Sequence, residues 1–353
     1  MVALDDWLRQ HADALDQSEH LADAVMPALA ADGRFQAGVP THLGGAGGDV
    51  RDAVAAIASI AEHSLTAAFV CWGQRTFIEY LLQSPNAALR ERLLPALLDG
   101  RMAGATGLSN AMKFLSGMEP LNISATPGHE GWRLAGQLAW ITNLRAPHFV
   151  AAAAVAPSDG APPAVVVFDS AAAGVQRGPN LALIALRGSN TAAVRLDQVR
   201  VAPDNVISAD APAWLPQVRP AFLGLQCGMS IGLARASLAQ AAGAAGNSRG
   251  QLGERIAAAQ RTLAQHVDAL LCGMADGSFV AQAAPLFRLR IALAESVQQA
   301  VALELQAKGG HAYLEQHQHG FGRRLRESAF IPVITPSLTQ LQAALDQHAV
   351  AHA

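Results

Sequence analysis

The segment LAGQLAWITN, residues 134–143, reads as a β-strand, with apolar Leu134 and Leu138 and a turn-like Asn143 closing it. Side chains two apart on a strand share a face. The spacing therefore predicts that Trp140 and Thr142 point the same way, just before the irregular NLRAP. Taken alone, this is a half-buried Trp with a Thr neighbour. What surrounds the strand decides more than the pair itself.

On both sides of residue 140 the chain is β-rich. NISATPG, HFVAAAAVA, PAVVVFD and TAAVRLDQVRVAP are short segments separated by Gly, Pro, Asn and Asp, and several alternate apolar with polar residues. They predict an antiparallel β domain over residues 101–208. Residues 1–100 instead show apolar residues three to four apart, as in VRDAVAAIASIAEH and LTAAFVCWGQRTFIEYLL, and predict helices broken by the Gly-rich loop VPTHLGGAGGD. Residues 209–353 return to long helical runs joined by short loops, which predicts a four-helix bundle. Helices and strands kept in separate blocks make an α+β protein of three domains, not a parallel α/β sheet.

With 353 residues, 51% hydrophobic and 15% charged, the chain can bury a large core. A net charge of −3 without a basic stripe argues against nucleic acid as a partner. No run approaches the roughly 20 apolar residues of a membrane span, and MVALDDWLRQ lacks the basic start and apolar block of a signal peptide. A cytoplasmic location is the expectation. Cys71, Cys227 and Cys272 form no CxxC and are expected to be buried thiols.

Several motifs have plain readings. GGAGGD (44–49) lacks the Lys-Ser/Thr of a phosphate loop, and GMSIG (228–232) lies within a helical run, where small residues serve packing. His311, His317 and His319 sit in a Gln-rich stretch without cysteine, so no metal is expected. RRLRES (323–328) reads as a solvated helix end.

Four segments in this order resemble the acyl-CoA dehydrogenase family of flavoproteins: VPTHLGGAGGD, GWRLAGQLAWITN, ALRGSNTAAVRLDQVRVAP and LQAKGGHAYLEQHQHGFGRRLRES. The resemblance runs from about residue 38 to 345. It implies an acyl-CoA dehydrogenase-like fold, bound FAD and an acyl-CoA substrate. It places the flavin ring against Trp140, with the Thr142 hydroxyl on its reactive edge and Thr106 and Ser109 nearby. It assigns the pyrophosphate and adenosine to Arg249, Gln260, Gln306, Gly309 and Gly310, with Gln340 as a further FAD contact and Arg219 on the substrate side. Because that family completes the FAD site from a neighbouring subunit, it also implies a homo-oligomer, dimer or tetramer.

The sequence departs from the family where the chemistry lies. α,β-Dehydrogenation of an acyl thioester needs a carboxylate to take the α-proton. The usual base position falls on Pro336, and the other position some members use falls on Gln217 and Val218, before Arg219 and Pro220. The catalytic residue is therefore unknown, and three readings stand. One is a dehydrogenase, served by an electron-transfer flavoprotein, whose base is Glu304, Glu315 or Glu327. A second is a flavin-dependent monooxygenase fed by a flavin reductase, with His63, His311 or His348 as the polar group. The third is a non-catalytic FAD-binding relative.

Overall fold

The computed structural model describes residues 3–245, 250–314 and 318–351, and the side chains of all of these except 318 and 348–351. Five helices open the chain: α1 (Leu4–Gln17), α2 (Ala22–Ala31), α3 (Val50–Ala61), α4 (Leu65–Leu82) and α5 (Ala87–Leu98). Asp49 and Asp52 form a reciprocal capping box at the start of α3, and Ser64 accepts from the Ala67 N–H at the start of α4. Nearly every residue of α4 is buried, which makes it the helix around which the domain packs.

The sheet comprises β1 (Ala103–Thr106), β2 (Ile123–Gly128), β3 (Gly131–Ile141), β4 (Phe149–Pro157), β5 (Ala164–Asp169), β6 (Val175–Asn180), β7 (Ala192–Val201) and β8 (Val206–Ser208), with the short helix α6 (Ser109–Leu115) after β1. The strand order is β6-β7-β3-β2-β4-β5-β8, with β1 paired to β4. Most pairs are antiparallel as expected, but β1–β4 and β2–β4 are parallel. The Ala/Val-rich strands β4 and β5 are buried along almost their whole length, as strands covered on both faces must be.

The C-terminal helices are α7 (Ala211–Ala245), α8 (Gly250–Ala275), α9 (Ser278–Ala281), α10 (Ala283–Lys308), α11 (Arg323–Phe330) and α12 (Leu338–Ala351). Four long helices thus appear where the apolar period places them, with the short α9 and α11 between. α7 packs on both α10 and α3. Small residues make the α3 contact close. A Cβ on Gly228 would lie 2.8 Å from the Val54 carbonyl oxygen, and one on Gly232 would lie 2.1 Å from that of Ala58. The neighbouring atoms are backbone and cannot step aside. Gly232→Ala is therefore expected to cost about 1–3 kcal/mol of stability by overpacking, read as a lower urea midpoint at unchanged slope.

Two expectations are corrected. Cys272 is exposed, while Cys71 and Cys227 are buried; burial pushes those two thiols up to about 12 and about 11, which leaves them unreactive. RRLRES is not a solvated end, because Arg323 and Arg324 are each only 7% exposed and ion-paired. No helix among the described residues is long and apolar enough to cross a membrane.

Candidate functional site

The strand carrying Trp140 does not alternate to its end. Leu138 pairs with Val194, but it is Ile141, not Trp140, that pairs with Ala192. One extra residue has entered β3, a bulge that re-aims the side chains around it. Ile141 turns inward, and Trp140 is left 60% exposed. Thr142 lies beyond the strand and is buried, with Oγ1 donating to the Ser189 carbonyl at 3.2 Å. Trp140 is therefore exposed while Thr142, two residues on, is buried, a difference that the strand spacing alone does not predict.

α4 holds this corner together. Gly73 sits where a Cβ would come within 3.1 Å of Thr142 Cγ2. Gln74, the next residue, makes a complete set of hydrogen bonds. Its Oε1 accepts from Gly104 N–H at 2.6 Å and from Asn143 Nδ2 at 2.9 Å, and its Nε2 donates to the carbonyls of Leu97 and Met102. Asn143 takes the left-handed conformation, φ 62°, and its Nδ2 also donates to the Gly104 carbonyl. Thr106 closes β1 with its hydroxyl 2.7 Å from that of Tyr80, both buried. Thr106 is thus committed to the core, while Ser109 is half-buried at the start of α6.

A small cleft lies between α6 and the bundle. It is lined by Met112, Lys113 and Met118 on one side and by Arg219, Phe287 and Pro336 on the other, with Gln340 at its edge. Its volume is about 20 Å³, room for about one water. The structure thus brings together Arg219, Pro336 and Gln340 from three stretches of sequence. Among the described residues no carboxylate lines the cleft. The Arg219 guanidinium lies over the Phe287 ring, 5.5 Å from its centroid, and its Nε is buried without a hydrogen-bond partner. Burial lowers its pKa from the ordinary arginine value.

The chain around Pro336 is clamped from beneath. Arg290, fully buried on α10, donates through Nε to Gln226 Oε1 at 2.7 Å and through Nη2 to the Ile331 carbonyl at 2.8 Å. Gln226 Nε2 donates to the Thr335 carbonyl at 3.1 Å. Gln340 has a structural duty as well: its Oε1 accepts from Ser337 N–H at 2.8 Å, while Ser337 Oγ accepts from Gln340 N–H, a capping box at the start of α12.

The other candidates lie elsewhere. Gln260 and Gln306 are exposed on α8 and α10, and Gln306 Oε1 accepts from Arg255 Nη1 at 2.9 Å. Gly309 and Gly310 follow α10, and a Cβ on either would meet nothing within 4 Å. Gly309 needs its residue type for φ +64°, whereas nothing among the described residues requires glycine at 310. Arg249, Glu315 and His317 lie outside the described residues, as does the His348 side chain.

Neither described glutamate serves the cleft. Glu304 is buried in an ion pair with Arg324 and with Lys308 at 2.6 Å. Glu327 is buried beside Arg323 and accepts from Leu65 N–H at 3.0 Å. Neither lines the cleft, so neither is in place as its base. His63 faces Asp5 at 3.8 Å, on the α1 side. Among the described residues no three His, Cys, Asp or Glu side chains converge as for a metal. Sequence reading missed Gln74, Phe287 and the Gln226–Arg290 pair. A lone amide or guanidinium inside an apolar helical run was the available signal.

Residues 3–101 match the family described as acyl-CoA dehydrogenase, N-terminal domain. The whole chain carries the acyl-CoA dehydrogenase fold. It superposes on glutaryl-coenzyme A dehydrogenase in its glutaryl-CoA complex with TM-score 0.80 at 18% identity, covering 98% of this chain and 94% of that one. PigA with FAD and proline gives 0.82 at 16% identity, covering 99% and 94%. KijD3 with FMN and a dTDP-linked amino-keto sugar gives 0.80 at 20% identity, covering 99% and 91%. At these identities the likeness concerns the acyl-CoA dehydrogenase fold and not a shared reaction. No curated protein matches the sequence.

Proposed function

We propose that the chain is a FAD-dependent oxidoreductase that acts on a small molecule without a protein carboxylate as base. The observation that carries this is the cleft: Arg219 and Pro336 meet there, and no acid among the described residues lines it. A flavin ring fits the exposed Trp140 face, a flat apolar wall, and Thr142, two residues on, has an oxygen that retains accepting capacity while its proton goes to the Ser189 carbonyl. Thr106 serves as a core residue in this reading. When bound, the flavin supplies a two-electron redox centre. The chain's own part is to hold the ring at Trp140, to fix the Pro336 segment through Arg290 and Gln226, and to keep the cleft nearly dry.

Gln260, Gln306 and Gly310 are exposed and Gly309 is half-buried, and at the two glycines backbone can approach a dinucleotide closely. It suits the cofactor of a second copy, so the oligomer belongs to the proposal. Oxidation with reduced flavin and oxygen, supplied by a flavin reductase, needs no α-proton abstraction and is the reading the acid-free cleft favours. Dehydrogenation of an acyl-CoA with an electron-transfer flavoprotein as acceptor is the second reading, favoured by the N-terminal domain's family.

The test is the visible spectrum of the purified protein, followed by anaerobic addition of acyl-CoA thioesters. Bleaching of the flavin by a thioester would establish dehydrogenation and overturn the base-free reading. Oxygen uptake that requires an added flavin reductase supports it. In the same preparation, Trp140→Ala is expected to raise the flavin Kd about tenfold, from lost ring stacking. It should leave the melting temperature nearly unchanged, because the ring is 60% exposed.

A further inference from the structure

We infer that the cleft between Arg219 and Pro336 binds the carboxylate of a small organic acid, with the Arg219 guanidinium as its ion-pair partner. This rests on the site proposed above and names the class of molecule it takes. Arg219 has no acidic partner among the described residues, although its Nε is buried. The Phe287 ring offers it only a partial counterweight, 5.5 Å away. The second cation on the cleft, Lys113, is already neutralised by Glu119 at 3.0 Å. The position where the resemblance places a glutamate is Pro336, which lines the same cleft and carries no charge.

Arg219 is half-buried, and its Nε is cut off from water with no counter-ion beside it, which carries a cost. A ligand that brings its own anion relieves that cost at the one place where the chain does not. The guanidinium fork matches a planar carboxylate with two parallel N–H···O bonds. Size and lining narrow the ligand further. About 20 Å³ admits a small group, and deeper entry requires Met112 and Met118, which are adaptable side chains, to give way. The walls beyond Arg219 are mainly apolar, which suits a short hydrocarbon tail better than a tetrahedral anion that needs donors on all sides.

The experiment titrates the purified protein at constant ionic strength with butyrate, with neutral butyramide and with inorganic phosphate, reading the melting temperature. Butyrate should stabilise saturably, and butyramide and phosphate should not. Arg219→Met keeps an apolar stem over Phe287 and should raise the butyrate Kd at least tenfold. Arg219→Lys, a point charge without the fork, should fall between. The inference is overturned if butyramide or phosphate stabilises as well as butyrate, or if Arg219→Met binds butyrate like the parent. Should the Met variant fail to fold, the Lys variant and the acid–amide comparison on the parent decide. The readout does not require flavin. A protein that distinguishes butyrate from its amide but neither binds flavin nor takes up oxygen with an added flavin reductase refutes the flavin reading and leaves this one standing, and a flavin-active protein that does not distinguish them does the reverse.

Discussion

Glu304→Gln is expected to cost about 3–5 kcal/mol of stability, the usual effect of breaking a buried ion pair from one side. Glu304 has no exposed surface. It accepts from Arg324 Nε at 2.9 Å, from Arg324 Nη2 and from Lys308 Nζ at 2.6 Å. The amide leaves Arg324, itself only 7% exposed, without a counter-charge. Burial alone would raise the Glu304 carboxyl, but the hydrogen bonds and charges of Arg324, then of Lys308, outweigh it and hold the pKa below the ordinary carboxylate value. A lowered pKa contributes stability that is complete above the unfolded value and lost as pH falls through the folded one. The parent's advantage over Glu304→Gln should therefore be full at neutral pH and shrink in acid. Urea unfolding of both proteins at neutral and acid pH measures it. Replacing the pair together, as Glu304→Leu with Arg324→Met, should recover much of the loss, since no buried charge is then orphaned. An unchanged urea midpoint for Glu304→Gln would sink the structural assignment. If turnover were abolished while stability held, Glu304 would return as the missing base.

That contrast shows what the sequence could and could not convey about Glu304. Helical periodicity finds α10 but does not say that a carboxylate at 304 meets a guanidinium at 324. Charged runs such as RRLRES look solvated until their partners are known, and two of these partners, Asp13 and Asp16, lie on α1. The helix–sheet–helix order was legible because each block has its own apolar period. The strand β6, VQRGPN, was not, because Gly and Pro inside it mimic a loop. The bulge at Trp140 escaped for a related reason. Alternation assumes an unbroken ladder, and a single extra residue is visible only once β7 is placed beside β3. Gln340 had two meanings in sequence: its match to a flavin contact, and the Ser337-x-x-Gln340 pattern of a capping box, which the structure forms. The meeting of Arg219, Phe287 and Pro336 is a property of the bundle, and no local pattern carries it.

Glu327→Gln is expected to alter the pH dependence of stability and not the chemistry of the cleft. Glu327 is fully buried. Its Oε1 accepts from Leu65 N–H at 3.0 Å and lies 3.4 Å from Arg323 Nη1, and its Oε2 has no partner. Burial is the dominant influence and raises the carboxyl from the ordinary 4.5 to about 7; Arg323, Leu65 N–H and Arg324 oppose it, and Asp16 adds to it. The sign is opposite to that of Glu304. A raised pKa means that the folded state holds a proton the unfolded chain has released, so this contribution is complete below about 4.5 and is lost as pH rises to about 7. A shift of that size corresponds to about 3 kcal/mol. Glutamine is neutral throughout and keeps an acceptor for Leu65 N–H, while Arg323 retains Asp13 at 3.2 Å. Glu327→Gln should therefore gain on the parent by up to about 3 kcal/mol between pH 4.5 and 7. Asp16, whose pKa burial also raises, remains in both proteins and largely cancels from the difference. Denaturant midpoints across that range provide the measurement. A difference that stays flat, or that narrows as pH rises, would show that Glu327 is ionised in the folded protein and that Arg323 governs it. Activity carries separate information. Glu327 sits against the start of α4, so loss of turnover with a flat stability difference would mean that the reacting atoms lie there and not at Arg219.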